Sequence, residues 1–231
     1  MFDQKLHFST EIRLCEMCFI NDLDRCSCLR GSSWCFRVNL REGCAIVDVF
    51  AYCKSVAILR ILRGVFPRYI LKTLYLTLIY PYFNYCNVIW GTAYNSTLKP
   101  LFILQKKCIR LICNANFLDH TDPLFKSTKI LTLNQMHKLN CAKFIYNCYN
   151  SKTYANFKNR LILNSQIHHY NTRNRSNLRT PYARLQICLN SFLIKGINIW
   201  NELPDNIRKA NSMSYFKSKV KKLLLGPNNS P

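Results

Sequence analysis

Apolar residues recur along most of this chain at spacings of three and four, the period of helices that bury one face. From Ser55 to Val65, the residues Ile58, Leu59, Ile61 and Leu62 form such a face, with Arg60 and Arg63 off it. Gly64 and Pro67 then punctuate, and Pro67 sits where a new helix starts. Ile70, Leu71, Leu74, Leu78 and Ile79 continue the period until Pro81, which is expected to close or kink that helix. Tyr82 to Trp90 predicts a further short helix ending at Gly91. Asn95-Ser96-Thr97 offers an N-cap for a longer helix reaching about Cys113, with Leu101, Leu104, Cys108, Leu111 and Ile112 inward and Lys106, Lys107 and Arg110 outward. Thr132 caps the next, which runs to about Asn150 and buries Leu133, Met136, Cys141, Phe144, Ile145 and Cys148.

Beyond this point the period is lost. Asn164 to Arg184 is polar and rich in Asn, Thr, Ser and Arg, and its centre reads His168-His169-Tyr170-Asn171-Thr172-Arg173-Asn174-Arg175, followed by Arg179 and Arg184. Ile187 to Trp200 is apolar again. Glu202 and Asp205 read as N-terminal charges for a helix from Asn206 onward. Ser212 to Leu225 predicts a last amphipathic helix with Phe216, Val220 and Leu224 inward and Lys217, Lys219, Lys221 and Lys222 outward, before a frayed tail. The pattern therefore predicts a mainly α protein: a helical bundle over 55–150, then a basic, partly irregular extension over 151–231 with short strands within 160–200 and a C-terminal helix.

Charge sharpens this division. The 231 residues carry 33 Lys and Arg against 11 Asp and Glu, a formal net charge of +22. Met1 to Cys53 holds six basic and seven acidic residues, so the excess belongs wholly to the remainder, whose only carboxylates are Asp119, Asp122, Glu202 and Asp205. A surface of that sign seeks a polyanion, and nucleic acid is the commonest. Arginines alternating with Tyr170, Tyr182 and hydrogen-bonding side chains suit phosphate contact combined with base stacking. Lys106, Lys107, Arg110, His168, Tyr170, Arg173, Arg175, Arg179 and Arg184 are the candidate nucleic-acid-binding residues. The other reading of the same stretch is a solvated basic loop.

Seven of the 13 cysteines lie before residue 54. Cys15-x-x-Cys18 and Cys26-x-Cys28 suggest a zinc knuckle, yet the pairs are close together, no Gly or Pro shapes the first turn, and the nearest histidine is His7. A poorly ordered Cys-rich segment over 1–54 without zinc is the expectation. No apolar core follows the first residues as in a secretory signal, so reduced thiols in cytoplasm or nucleus are expected. Tyr69 to Trp90 has Lys72 as its sole charge and is long enough to span a bilayer, but Pro81, Asn84, Asn87 and five tyrosines make a pair of buried helices the preferred reading.

Catalytic chemistry is missing from the pattern. Two-metal nucleotidyl transfer needs converging carboxylates. Asp119, His120 and Asp122 precede Pro123 in a turn, where helix capping is the expected role. No F/Y-x-D-D, H-E-x-x-H, nucleophile elbow or glycine-rich phosphate loop occurs. The chain acting alone is expected to have no catalytic residues, no cofactor, no metal and no small-molecule substrate.

Several segments, taken in order, carry a specific resemblance. They are Pro67-Arg68-Tyr69-Ile70-Leu71-Lys72-Thr73-Leu74-Tyr75, then Leu78 to Cys86 (L-I-Y-P-Y-F-N-Y-C) with Trp90-Gly91, then Leu104-Gln105-Lys106-Lys107-Cys108-Ile109-Arg110. His168 to Arg173 (H-x-Y-N-T-R), Ile199-Trp200-Asn201-x-Leu203-Pro204 and Phe216-Lys217-x-x-x-Lys221 complete the series. From Ser55 onward, over roughly three quarters of its length, the chain resembles the C-terminal end of a non-LTR, LINE-type (jockey-like) retrotransposon reverse transcriptase. The resemblance implies a helical thumb and the segment after it, which hold the template-primer duplex, with RNA and DNA as partners. The palm, with its Y-A-D-D or F-A-D-D carboxylates and its magnesium, is not matched. Phe19-Ile20-Asn21-Asp22-Leu23 resembles an I-N-D-L stretch of such palms, but Asp22 and Asp24 take no catalytic role from it.

The implied function is a catalytically incomplete piece of an RNA-directed DNA polymerase that retains sequence-tolerant nucleic-acid binding. The alternatives are the thumb of a split polymerase that needs a palm partner, and a small host nucleic-acid-binding protein with a zinc knuckle. A basic protein with Tyr69 to Trp90 inserted in a membrane is the third.

Overall fold

The computed structural model describes residues 36–40, 43–47, 49–150, 157, 159–167, 170 and 172–226, with side chains from residue 54 onward. The four cysteines of the zinc-knuckle reading, the Phe19–Leu23 stretch and His168 lie outside the described residues. The architecture is mainly helical. Two compact units divide the chain, Met1–Tyr82 and Phe83–Pro231. The boundaries read from charge and periodicity lie near 54 and 150. Position 54 lies inside the first helix, and the helix that ends at Asn150 is packed by elements that follow it.

In the first unit, β1 (Phe36–Leu40) pairs antiparallel with β2 (Gly43–Val47), Phe36 opposite Val47. Helix α1 (Val49–Leu62) and α2 (Arg68–Leu74) follow, with Pro67 as N-cap of α2. A π turn, Tyr75–Ile79, leads without a break into α3 (Tyr80–Asn84), across the boundary between the units. Of the two outcomes expected at Pro81, closing or kinking the helix, closing does not occur. Proline lacks an N–H and crowds the carbonyl one turn back, and the wider π turn just before it accommodates both. Leu59, Leu71, Tyr75 and Ile79 are buried here. Among the described residues no helix is long and apolar enough to cross a membrane.

The second unit is organised around one helix. After α4 (Asn87–Trp90) come α5 (Asn95–Cys113), α6 (Asp122–Thr128) and α7 (Leu133–Asn150). Then follow α8 (Gln186–Leu189), α9 (Phe192–Asn201), α10 (Asp205–Arg208) and α11 (Met213–Leu225). Helix α7 packs against α4, α5, α9 and α11, so the extension after 150 shares a core with the helices before it. Its start is a reciprocal capping box: the Gln135 N–H donates to Thr132 Oγ1, and the Thr132 N–H donates to Gln135 Oε1 at 3.0 Å. Its neighbours close an aromatic cluster in which Tyr146 stacks on Phe216 at 4.5 Å and Trp200 lies 5.9 Å from Phe216.

Several details differ from the periodic reading. The buried line of α5 is Leu101, Gln105, Cys108, Ile109 and Ile112, while Leu104 and Leu111 are half-buried at its margin. Gln105 tolerates full burial because its amide is used at both ends: Nε2 donates to the Leu131 carbonyl at 3.0 Å and Oε1 accepts from the Leu133 N–H at 2.8 Å. Helix α5 begins at Asn95 with Tyr94 as N-cap and no side-chain cap, so Asn95-Ser96-Thr97 forms its first turn rather than its cap. Phe144 and Leu224 are half-buried. Phe144 meets Phe157 and Phe192 edge to face. Glu202 caps the end of α9 and faces Lys138 at 3.7 Å, so only Asp205 serves the N-terminus of α10. Within 160–200, an isolated antiparallel bridge, Leu163 to Leu178, takes the place of strands among the described residues.

Candidate nucleic-acid interface

The polar stretch from Asn164 to Arg184 has no helical period, yet it is held by a set of named bonds. At its base the Arg179 N–H donates to the Ile162 carbonyl at 2.8 Å, and the N–H of Asn164 donates to the Asn177 carbonyl at 3.0 Å. Nearer the tip the Ser165 N–H reaches the Arg175 carbonyl, and Asn164 Nδ2 donates to the Asn174 carbonyl at 2.9 Å. The loop is thus closed on itself, with Leu178 buried as its plug.

Helices α9 and α10 anchor it. Asn201 Oδ1 accepts from the Leu178 N–H at 2.9 Å, while Asn201 Nδ2 donates to the Leu178 carbonyl at 2.8 Å. Arg208 Nη1 donates to Asn177 Oδ1 at 2.9 Å, and the same guanidinium pairs with Asp205. Thr180 Oγ1 donates to Asn198 Oδ1. The Trp200-Asn201-x-Leu203-Pro204 segment therefore does structural work: Trp200 and Leu203 are buried, Asn201 grips the loop, and Pro204 starts α10.

On this anchored loop Arg173, Arg175, Arg179 and Arg184 are all exposed. Tyr170 and Tyr182 are 79% and 88% exposed. Exposed aromatic rings interleaved with arginines are the composition on which bases stack. The sequence between Pro123 and Asn201 offers these cations no carboxylate.

The α5 candidates are placed differently. Lys106 sits over the Phe102 ring at 4.5 Å, and Lys107 is half-buried. Arg110 turns its fork onto the Asp119 carbonyl, Nε at 3.1 Å and Nη2 at 2.9 Å, with its guanidinium 5.8 Å from the Phe117 ring centre. Asp119 Oδ2 accepts from the Asn116 N–H at 2.7 Å, so this carboxylate shapes the turn. Arg110 is thereby a brace for the 116–119 turn rather than a free phosphate donor. Among the described residues no group of three His, Cys, Asp or Glu could hold a metal.

A buried polar cluster escaped the sequence reading. His137 Nδ1 lies 3.0 Å from the Asn87 carbonyl, which can only accept, so the ring proton sits on Nδ1. Its Nε2 is 3.5 Å from Cys141 Sγ. Burial lowers the His137 pKa; the Asn87 bond opposes the shift and Lys195 adds to it. Burial pushes the Cys141 thiol up to about 12, which leaves it a thiol rather than a nucleophilic thiolate at neutral pH. Gly91 is the gap that admits the imidazole: a Cβ there would stand 2.3 Å from His137 Nδ1. Asn140 Nδ2 donates to Asn84 Oδ1 at 2.9 Å, tying α7 to the end of α3. Lys143, too, was missed; burial lowers its pKa, and the Lys217 charge, 74 positions on, lowers it further. No local pattern points to these partners. No protein-family model, curated protein or solved structure matches the chain.

Proposed function

We propose that this chain is the thumb-like C-terminal part of a non-LTR retroelement polymerase whose own activity is sequence-tolerant binding of RNA and DNA. The observation that carries the reading is the anchored loop with Arg173, Arg175, Arg179 and Arg184 exposed beside Tyr170 and Tyr182. Arginines meet phosphates and release counterions, while the rings stack on bases of any identity. The loop's backbone is already ordered by Asn201 and Arg208, so less conformational entropy is lost on binding.

The test is fluorescence anisotropy with single-stranded and duplex oligonucleotides over a salt series. Each phosphate contact contributes a slope of about −0.9 in log K against log salt. The double variant Arg173→Ala, Arg175→Ala should weaken binding and flatten the slope by about two. An unchanged slope removes the loop from the interface.

One observation favours the split-polymerase reading, in which a separate palm completes the enzyme. Ile61, Val65 and Tyr69 in the first unit are 74%, 76% and 70% exposed, a large apolar display for a surface of this charge. Mixing the chain with a palm fragment and finding no primer extension would count against it.

A further inference from the structure

A cleft of about 710 Å³ opens in the second unit, lined by the α4–α5 turn, α5, α7 and α9. Its volume lies in the range of about 300–1,000 Å³ typical of small-molecule sites. The apolar part of its lining is Trp90, Ala93, Leu98, Phe102, Leu133 and Ile199. Its charge is lopsided: Lys99, Lys138 and Lys195 line it against a single carboxylate, Glu202, and that carboxylate faces Lys138 at 3.7 Å. Lys195 is half-buried and donates one bond, to the Thr92 carbonyl at 2.9 Å. No carboxylate pairs with it among the described residues. An ammonium has three donors, so Lys195 retains capacity for an anion in a place where water reaches it poorly.

We propose that this cleft binds a nucleoside monophosphate, with Lys195 and Lys99 on the phosphate and the base over the apolar lining. Three lysines against one carboxylate leave an excess of two positive charges, matched by a phosphate monoester of about −1.5 to −2 at pH 7 and only half matched by a carboxylate. The amides of Asn134 and Asn198 also line the cleft and carry donors and acceptors that a base edge can meet and an alkyl chain cannot. Neither lysine belongs to the Asn164–Arg184 loop, so this site stands or falls separately from the loop's nucleic-acid binding. The nucleotide can be free or the phosphorylated end of a strand.

The experiment is isothermal titration of the full chain with adenosine monophosphate, with inorganic phosphate and adenosine titrated separately. Saturation at one site per chain is expected, with both controls much weaker. Lys195→Met should weaken binding by about tenfold or more, the effect of losing one charge-assisted contact. Lys99→Met, at an exposed position where folding is not at stake, should weaken it in the same direction. The Arg173→Ala, Arg175→Ala variant should bind the mononucleotide as the parent does. Displacement by a 5′-phosphorylated hexanucleotide, but not by its 5′-hydroxyl counterpart, assigns the ligand to a strand end; failure of both to displace it assigns a free nucleotide. The proposal is overturned by absence of saturation, by equal binding of inorganic phosphate, by both lysine variants behaving as the parent, or by loss of binding in the loop variant.

Discussion

The side-chain amide of Asn201 pairs with the backbone of Leu178 as a neighbouring strand would, accepting from its N–H at 2.9 Å and donating to its carbonyl at 2.8 Å. One residue on a helix thereby takes the Leu178 backbone groups that the bridge to Leu163 leaves unused, and the basic loop is held at its plug. Leu178 is 1% exposed, so water cannot easily replace either bond.

Asn201→Ala should cost about 1–3 kcal/mol, because both Leu178 groups lose their partner. Asn201→Asp keeps the acceptor but sets a carboxylate against the Leu178 carbonyl, and is expected to be no better than alanine. Urea denaturation of both variants checks this, and hydrogen exchange at Leu178 should rise in each.

Two glycines should respond oppositely to the same change. A Cβ at Gly91 would stand 2.3 Å from His137 Nδ1 and 2.5 Å from the Asn87 carbonyl, whereas one at Gly64 meets nothing within 4 Å. Gly91→Ala is expected to destabilise by about 3 kcal/mol through overpacking. Gly64→Ala should be neutral or stabilise by up to about 1 kcal/mol, through the unfolded chain. Paired thermal melts decide it.

His137 makes stability depend on pH. Its folded pKa lies below the ordinary value of 6.5, so as pH falls the unfolded chain takes up the proton first. The neutral ring's contribution is complete well above pH 6.5 and is lost as pH falls through that value towards the folded pKa. Denaturation midpoints should therefore drop between pH 7.5 and 5.5, and His137→Gln should reduce that drop. Parallel pH profiles for the two proteins would exclude the ring as the cause.

Thiol reactivity should divide the described cysteines by burial. Cys86 and Cys188 are exposed, while Cys108, Cys141 and Cys148 are buried. Burial raises the thiol pKa of Cys148 as well as that of Cys141. Iodoacetamide at pH 8 should label Cys86 and Cys188 within minutes, half-buried Cys113 more slowly, and Cys108, Cys141 and Cys148 only once the chain is denatured, as read by peptide mass spectrometry.

Much of the fold is local and was legible as such. The Thr132 cap, completed by Gln135, starts α7 where the pattern places it, because a capping box is contained within four consecutive residues. Ser212 likewise accepts from the Tyr215 N–H and starts α11, with Phe216 and Val220 on its buried face. The Asn164–Arg184 stretch is irregular because its residues favour side-chain to backbone bonds over a helical ladder, and that preference too is written in its composition.

Periodicity and composition suffice for a mainly helical chain with a strongly basic second part and one non-periodic arginine-rich loop. Folding chose which polar residues leave water, Gln105, His137 and Asn140 fully and Asn201 in part. Gln105, His137, Asn140 and Asn201 look like surface residues in any periodic reading. Each is matched to a group 23 to 56 positions away: Gln105 to Leu131 and Leu133, His137 to Asn87, Asn140 to Asn84, and Asn201 to Leu178. Burying an amide or imidazole is favourable only when such a partner is present, and the partner exists only once the chain has folded. The same reason hides the role of Gly91, whose φ of −66° is ordinary helix and whose lack of a side chain matters only because α7 brings His137 against it.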